Sequence, residues 1–150
     1  MVAYMPKALT DDWATPQKLY DELNQEFNFV LDCAASSTNH KAPNWFGLDH
    51  PEKSHQDGLN ADWSQYGGSI YCNPPYGRQA AFWVEKAFEE SKKQVVVLLL
   101  PSRTDTRWFH QWIYPKAEIR FIKGRVKYGD GTAPAPFPSM IVILRPEMHI

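Results

Sequence analysis

Apolar and polar positions change period along the chain, and the changes mark its elements. Leu19, Tyr20, Leu23 and Phe27 form an apolar stripe at helical spacing. Thr15 and Pro16 stand before it. Threonine caps helix starts and proline suits the first helical position, so a helix is predicted to open there. Asn28 to Asp32 (NFVLD) reads as a short buried strand, and Ser69 to Cys72 (SIYC) as a second. A helix is predicted from Gln79 to Lys93, with Ala80, Trp83, Val84, Ala87 and Phe88 facing in. Gln94 to Leu100 is apolar without alternation, the pattern of a central parallel strand. Pro101 ends it. Thr104 is predicted to cap a short helix carrying Trp108, Phe109, Trp112 and Ile113, closed by Pro115. Ala117 to Ile122 and Met140 to Leu144 read as strands, with a Gly- and Pro-rich loop, Gly124 to Pro138, between them. The ~30 residues after Asp32 carry no clear element, and such a stretch in a compact domain is often functional.

Strands alternating with helices predict an α/β domain with a mostly parallel sheet. Ligands of such sheets sit at the carboxyl ends of the strands, where Asp32 and Asn73 fall. Residues 1–12 read as a flexible N-terminal arm, and 13–150 as one domain.

Composition narrows the function. A chain of 150 residues has room for one core. Its net charge of -1 argues against a protein that coats nucleic acid by bulk attraction. The charge is divided, however. Residues 1–75 hold ten acids and four bases, and residues 76–150 seven acids and twelve bases. No apolar run approaches a membrane span, and no signal-peptide core is present. Cys33 and Cys72 are too few for a disulfide framework and fit a reducing cytoplasm. Cys33, His40, His50, His55 and Cys72 match no zinc spacing, so no metal site is expected.

The most informative segment is Asn73-Pro74-Pro75-Tyr76. Two prolines stiffen the chain and remove two N–H donors. The Asn73 side-chain oxygen and the Pro74 carbonyl then form two acceptors on a rigid frame, with an aromatic ring two residues on. Two acceptors match the two hydrogens of a planar –NH2 group. Such a nitrogen is a poor nucleophile because its lone pair is delocalised. Acceptors on its hydrogens stabilise the positive charge that it gains on attack. The plain alternative is a proline-rich turn after a strand, but the strand before and helix after favour the chemical reading.

These residues, in this order, resemble the phage-type DNA N6-adenine methyltransferases (Dam-type), whose motif is Asp/Asn-Pro-Pro-Tyr/Phe. The likeness runs from about Trp13 to Pro146. It includes Trp13-Ala14-Thr15-Pro16, Phe29 to Ala35 (FVLDCAA), Ala61-Asp62-Trp63, Asn73 to Tyr76, and Leu100 to Phe109 (LPSRTDTRWF). Gly124-Arg125 and Pro136 to Ser139 complete it. The resemblance implies a Rossmann-like class I methyltransferase fold with a reduced, mostly parallel sheet and an antiparallel C-terminal strand. It implies methyl transfer from S-adenosylmethionine to N6 of adenine in DNA, with the target base flipped into the pocket. Asn73, Pro74, Pro75 and Tyr76 would be catalytic, with Tyr76 stacking on the base. Thr15, Pro16, Asp32, Ala34, Asp62 and Trp63 would hold the cofactor, Asp62 accepting from its adenine.

The chain departs from the pattern in two places. Ala34-Ala35-Ser36-Ser37 stands where many methyltransferases have glycines, and no clear acid for the ribose follows, Asp49 and Asp57 being the candidates. There is no room for a separate target-recognition domain. Arg103, Arg107, Arg125 and Lys127 follow the motif on the presumed active side and are candidates for DNA phosphate contact. Trp45 and Phe46 either pack beneath the long loop or meet DNA. The expected partners are DNA and S-adenosylmethionine, with no membrane and no metal. The expected state is a monomer or weak dimer in the cytoplasm of a phage-carrying bacterium. Other readings are an amino or amide methyltransferase acting on RNA, cytosine N4 or protein glutamine, a non-catalytic DNA-binding module, and an inactive cofactor binder.

Overall fold

A computed structural model describes residues 13–129 and 134–150. The predicted N-terminal arm, residues 1–12, lies outside the described residues, as do residues 130–133 of the predicted loop.

Helix α1 spans Gln17–Phe27 and buries Tyr20 and Leu23. Thr15 is not its cap, contrary to expectation: Pro16 holds that position and no side chain caps the helix. The Thr15 hydroxyl is instead spent on a buried partner, the Tyr71 hydroxyl, 2.5 Å away. Asn28 ends the helix in the left-handed conformation, φ 55°. Asn24 Oδ1 then accepts the Phe29 N–H at 2.8 Å, turning the chain straight into strand β1, Phe29–Asp32.

Strand β2, Asn44–Trp45, pairs parallel with β1. It is absent from the sequence reading because two residues show no period. Strands β3, Ser69–Cys72, and β4, Val96–Pro101, continue the sheet in parallel. Strand β5, Glu118–Phe121, lies at the far edge, and β6, Ser139–Leu144, runs antiparallel between β4 and β5. The order is β2-β1-β3-β4-β6-β5. Pairing directions leave β6 alone opposed to the rest. This is the expected α/β architecture with a mixed sheet.

Every residue of β4 and β6 is buried. Alternate side chains serve two cores, which is why neither strand shows polar alternation. Val96, Leu98 and Leu100 face helix α2, Ala80–Glu90, through Trp83, Val84 and Ala87. Val97 and Leu99 face α1 through Tyr20 and Leu23, joined by Val126, Tyr128 and Phe137. Helix α2 is shorter at both ends than predicted. The third expected helix is a π-type turn over Phe109–Ile113, its Tyr114 N–H reaching Phe109 O at 2.8 Å. Thr104 does not cap it, contrary to expectation; Trp108 precedes the turn without a side-chain cap, and the Thr106 hydroxyl accepts the Phe109 N–H at 3.3 Å. The Thr104 carbonyl instead lies 2.7 Å from His110 Nε2.

The long segment between β1 and β3 carries only the short β2 and two 3-10 turns, Lys53–His55 and Trp63–Tyr66, and ring stacking ties it together. His40 stacks on Trp45 at 4.7 Å, Trp45 meets His50 at 4.3 Å, and His50 stacks on His55 at 4.7 Å. His55 Nε2 lies 2.7 Å from the Tyr66 hydroxyl. Phe46 is fully buried beneath, so of the two alternatives it packs under the loop.

Gly47 lets two backbone strands touch. A Cβ there would sit 2.1 Å from Ala35 O. The contact is to backbone, which cannot swing aside. Gly47→Ala is expected to destabilise the protein by ~1–3 kcal/mol, read as a lower urea midpoint with an unchanged slope.

Candidate active site

Strands β1, β3 and β4 end at one edge of the sheet, and a cavity of about 640 Å³ opens there. Asp32 reaches it from β1, and Asn73 to Tyr76 from the end of β3. Thr15 and Ala34 line it as well, whereas Pro16 does not.

Asp32 is a buried acid at the cavity. Burial pushes its carboxyl up to about 6, although the Lys41 and Ala34 N–H groups partly offset this. The Lys41 N–H donates to its Oδ2 at 3.2 Å. The turn after Asp32 needs no glycine. Asp49 closes it by accepting the Ser37 N–H at 3.0 Å and the Ser37 hydroxyl at 2.6 Å, which holds the Asp49 carboxyl below its ordinary value.

Asn73 is tied at both ends of its amide. Nδ2 donates to Trp13 O at 2.7 Å and to Thr15 Oγ1 at 3.2 Å. Oδ1 accepts the Tyr76 hydroxyl at 2.6 Å. The Pro74 carbonyl accepts no hydrogen bond among the described residues, leaving an unpaired acceptor on a rigid backbone. Tyr76 lines the cavity with its ring set edge-on to Phe137 at 5.6 Å and Tyr128 at 6.3 Å. Burial raises its phenol well above the ordinary value, so the proton stays in place as a donor.

Asp62 and Trp63 stand apart from the cavity. Asp62 is exposed and accepts the Ser64 N–H at 2.9 Å and the Ser64 hydroxyl at 2.6 Å, so its carboxyl lies below the ordinary value. Trp63 is fully buried and donates its indole N–H to Gly58 O at 2.7 Å. It therefore shapes, from behind, the Asp57-Gly58-Leu59 wall that does line the cavity. A Cβ on Gly58 would meet Cys33 O at 2.3 Å, so the wall can approach β1 only as glycine. Both candidate acids, Asp49 and Asp57, line the cavity, Asp57 while accepting from Asn60 Nδ2 at 2.6 Å.

The sequence reading missed Lys41, Gln79 and Trp83 as cavity residues. Trp83 was legible only as core. Gly58 was the one signal for the wall, since a lone glycine in a polar loop marks a close approach.

Arg103, Arg107, Arg125 and Lys127 are all exposed, and none lines the cavity. Arg103 lies over the Phe137 ring at 5.9 Å, beside Tyr76. Arg125 and Lys127 alternate with buried Val126 and Tyr128, so one strap turns cations outward and an aromatic inward. Among the described residues no group of three or more His, Cys, Asp or Glu could hold a metal, and no helix is long and apolar enough to cross a membrane.

The family model described as DNA N-6-adenine-methyltransferase (Dam) matches residues 3–148. A DNA N-6-adenine-methyltransferase of Haemophilus phage HP1 (strain HP1c1) is 32% identical, over 94% of this chain and 82% of the relative. Another of that name, from Escherichia phage T1, is 29% identical over 79% of this chain and 47% of the relative, so the chain spans about half of that protein. With the family model matched along nearly its whole length, the chain belongs to the DNA N-6-adenine-methyltransferase (Dam) family.

Proposed function

We propose that this chain methylates N6 of adenine in DNA, using S-adenosylmethionine as the methyl donor. The observation that carries the reading is the acceptor pair, Asn73 Oδ1 and the Pro74 carbonyl, at the cavity lined by the buried carboxylate Asp32. A cavity of about 640 Å³ lies within the ~300–1,000 Å³ range of small-molecule sites. The order of strands, with one reversed strand inserted before the edge, agrees with a reduced Rossmann-like class I methyltransferase sheet.

The donor set suits a cationic, amine-bearing cofactor. Asp32 is a buried acid with no cationic side chain bonded to it among the described residues, and such a group gains most from an ammonium. Thr15 and Ala34 flank it. Asp57 and the tight Gly58 wall face the same cavity and are the stronger candidates for the cofactor's nucleoside end; Asp62 and Trp63 support that wall from outside. When bound, S-adenosylmethionine supplies an electrophilic methyl group on a sulfonium.

The protein's own work is positioning and charge stabilisation. Asn73 Oδ1 and Pro74 O accept the two hydrogens of the target amino group. Pro75 keeps their spacing fixed. Tyr76 offers its ring to the base, which must leave the duplex to enter the cavity. Arg103, Arg107, Arg125 and Lys127 meet phosphate on the outer surface, so DNA affinity is salt-sensitive through a few contacts. A non-catalytic DNA-binding module explains the cations but not the acceptor pair or the buried acid.

Asn73→Ala is expected to keep S-adenosylmethionine affinity within a few-fold in calorimetry. Formation of N6-methyladenine, measured by mass spectrometry, should fall by ~100-fold or more. A normal rate would sink the assignment of Asn73.

Asp32 makes a second, pH-dependent test. Its folded-state value is raised to about 6, so the stability present at low pH is lost as pH rises through that value. Asp32→Asn should raise apo-protein stability by about 1–3 kcal/mol at pH 8 and change little at pH 4. The same variant should bind S-adenosylmethionine more weakly at pH 8. A variant less stable than wild type at pH 8, yet still binding cofactor, contradicts the role given to Asp32.

A further inference from the structure

Asn73 is an amide, and an amide has two unlike ends. Oδ1 accepts a substrate N–H, whereas Nδ2 is itself a donor and would repel one. A half-turn of the side chain exchanges them at little steric cost. An acceptor site built on asparagine therefore needs neighbours that distinguish oxygen from nitrogen.

Those neighbours form a nearly buried chain. Trp13 O, a carbonyl, is acceptor-only, so the end 2.7 Å from it is the nitrogen. At the other end the Tyr76 hydroxyl lies 2.6 Å from Oδ1 and 3.1 Å from the Leu99 carbonyl. A phenol has one proton. Turned toward Leu99, that proton would leave two lone pairs facing each other at 2.6 Å, so it belongs to Asn73. The Tyr76 oxygen is then an acceptor toward the Tyr128 hydroxyl, 3.1 Å away. Tyr128 donates there, and its oxygen accepts from Ser139 Oγ, 3.1 Å away. The hydrogen bonds thus run one way, from Ser139 through Tyr128 and Tyr76 to Asn73 Oδ1. Tyr128 and Ser139 are buried and lie outside the cavity lining.

We propose that Tyr128 is a positioning residue for methyl transfer: by donating to Tyr76 it strengthens the Tyr76 hydrogen bond to Asn73 and so locks the amide with Oδ1 in the accepting role. The proposal rests on the methyltransferase reading above. Without the Tyr128 hydroxyl, the Tyr76 oxygen loses the donor that polarises it, its bond to Asn73 Oδ1 weakens, and the lock loosens from the oxygen side. The aromatic contacts need not change. Tyr128 meets Trp13 at 5.3 Å and Phe137 at 6.0 Å through its ring, which phenylalanine keeps.

The test is Tyr128→Phe on the full chain, with the exposed Tyr114→Phe as control. Single-turnover methylation of adenine-containing duplex DNA should fall about 10- to 100-fold, with the dissociation constants of S-adenosylmethionine and DNA unchanged. In apo protein the Asn73 side-chain amide signals in a 15N-correlated spectrum, identified by their loss in Asn73→Ala, should shift and broaden in Tyr128→Phe alone. An unchanged rate with unchanged Asn73 signals overturns the proposal. So does a rate loss matched by loss of cofactor binding, which marks a general structural role. If the wild type fails to methylate adenine, the functional reading falls, and the amide signals still decide whether Tyr128 holds Asn73.

Discussion

Val96 to Pro101 expose no side chain on either face, so this strand requires apolar cover on both sides at once. Helix α2 and the π-type turn cover one face. Helix α1 and the side chains of Val126, Tyr128, Ala135 and Phe137 cover the other. Strand β6 completes the cover by pairing along the whole length of β4 with six fully buried residues of its own. Because β1 and β3 run parallel to β4, their carboxyl ends lie at one edge. The candidate site follows from that alignment: Asp32 and Asn73 are distant in sequence but leave neighbouring strands at the same level.

The site itself is held by polar contacts that the core does not supply. Asn73 joins β3 to the segment before α1 through Trp13 O and Thr15, sixty and fifty-eight positions away. Its other end reaches Tyr76 and then the C-terminal strand through Tyr128 and Ser139. Parts of the chain from both ends thus converge on one amide. Asp32 works against the fold, since burial disfavours its charge and raises its carboxyl to about 6. A buried acid facing a cavity with no bonded cation among the described residues is stability set aside for a ligand.

Much of this was legible in residue order. Strands with strong apolar runs, β3, β4 and β6, were found to within a residue or two, because burial on two faces writes itself as continuous hydrophobicity. Helix α1 showed in the stripe through Leu19, Tyr20, Leu23 and Phe27. The acceptor tetrapeptide was legible because proline acts through local covalent geometry. Hydroxyl caps were misread. Thr15 and Thr104 suit caps in isolation, but Thr15 is drawn into the Asn73 contacts and Thr106 lies nearer the Phe109 N–H. Strand β2 is too short to carry a period. The ring stack from His40 to His55 has no local pattern, because its members meet only once the loop is folded.

The sequence by itself determined which segments are extended or helical, that the carboxyl edge of the sheet carries Asp32 and Asn73, and that a rigid acceptor frame follows β3. These depend on neighbours within a few residues, where dihedral limits and side-chain period act directly. Tertiary structure alone decided which loop walls the cavity, placing Asp57 and Gly58 there and Asp62 outside. It also decided which way the Asn73 amide turns. That choice depends on a carbonyl sixty residues earlier and a phenol fifty-five residues later, linked through Tyr76, and no local pattern encodes contacts at that range.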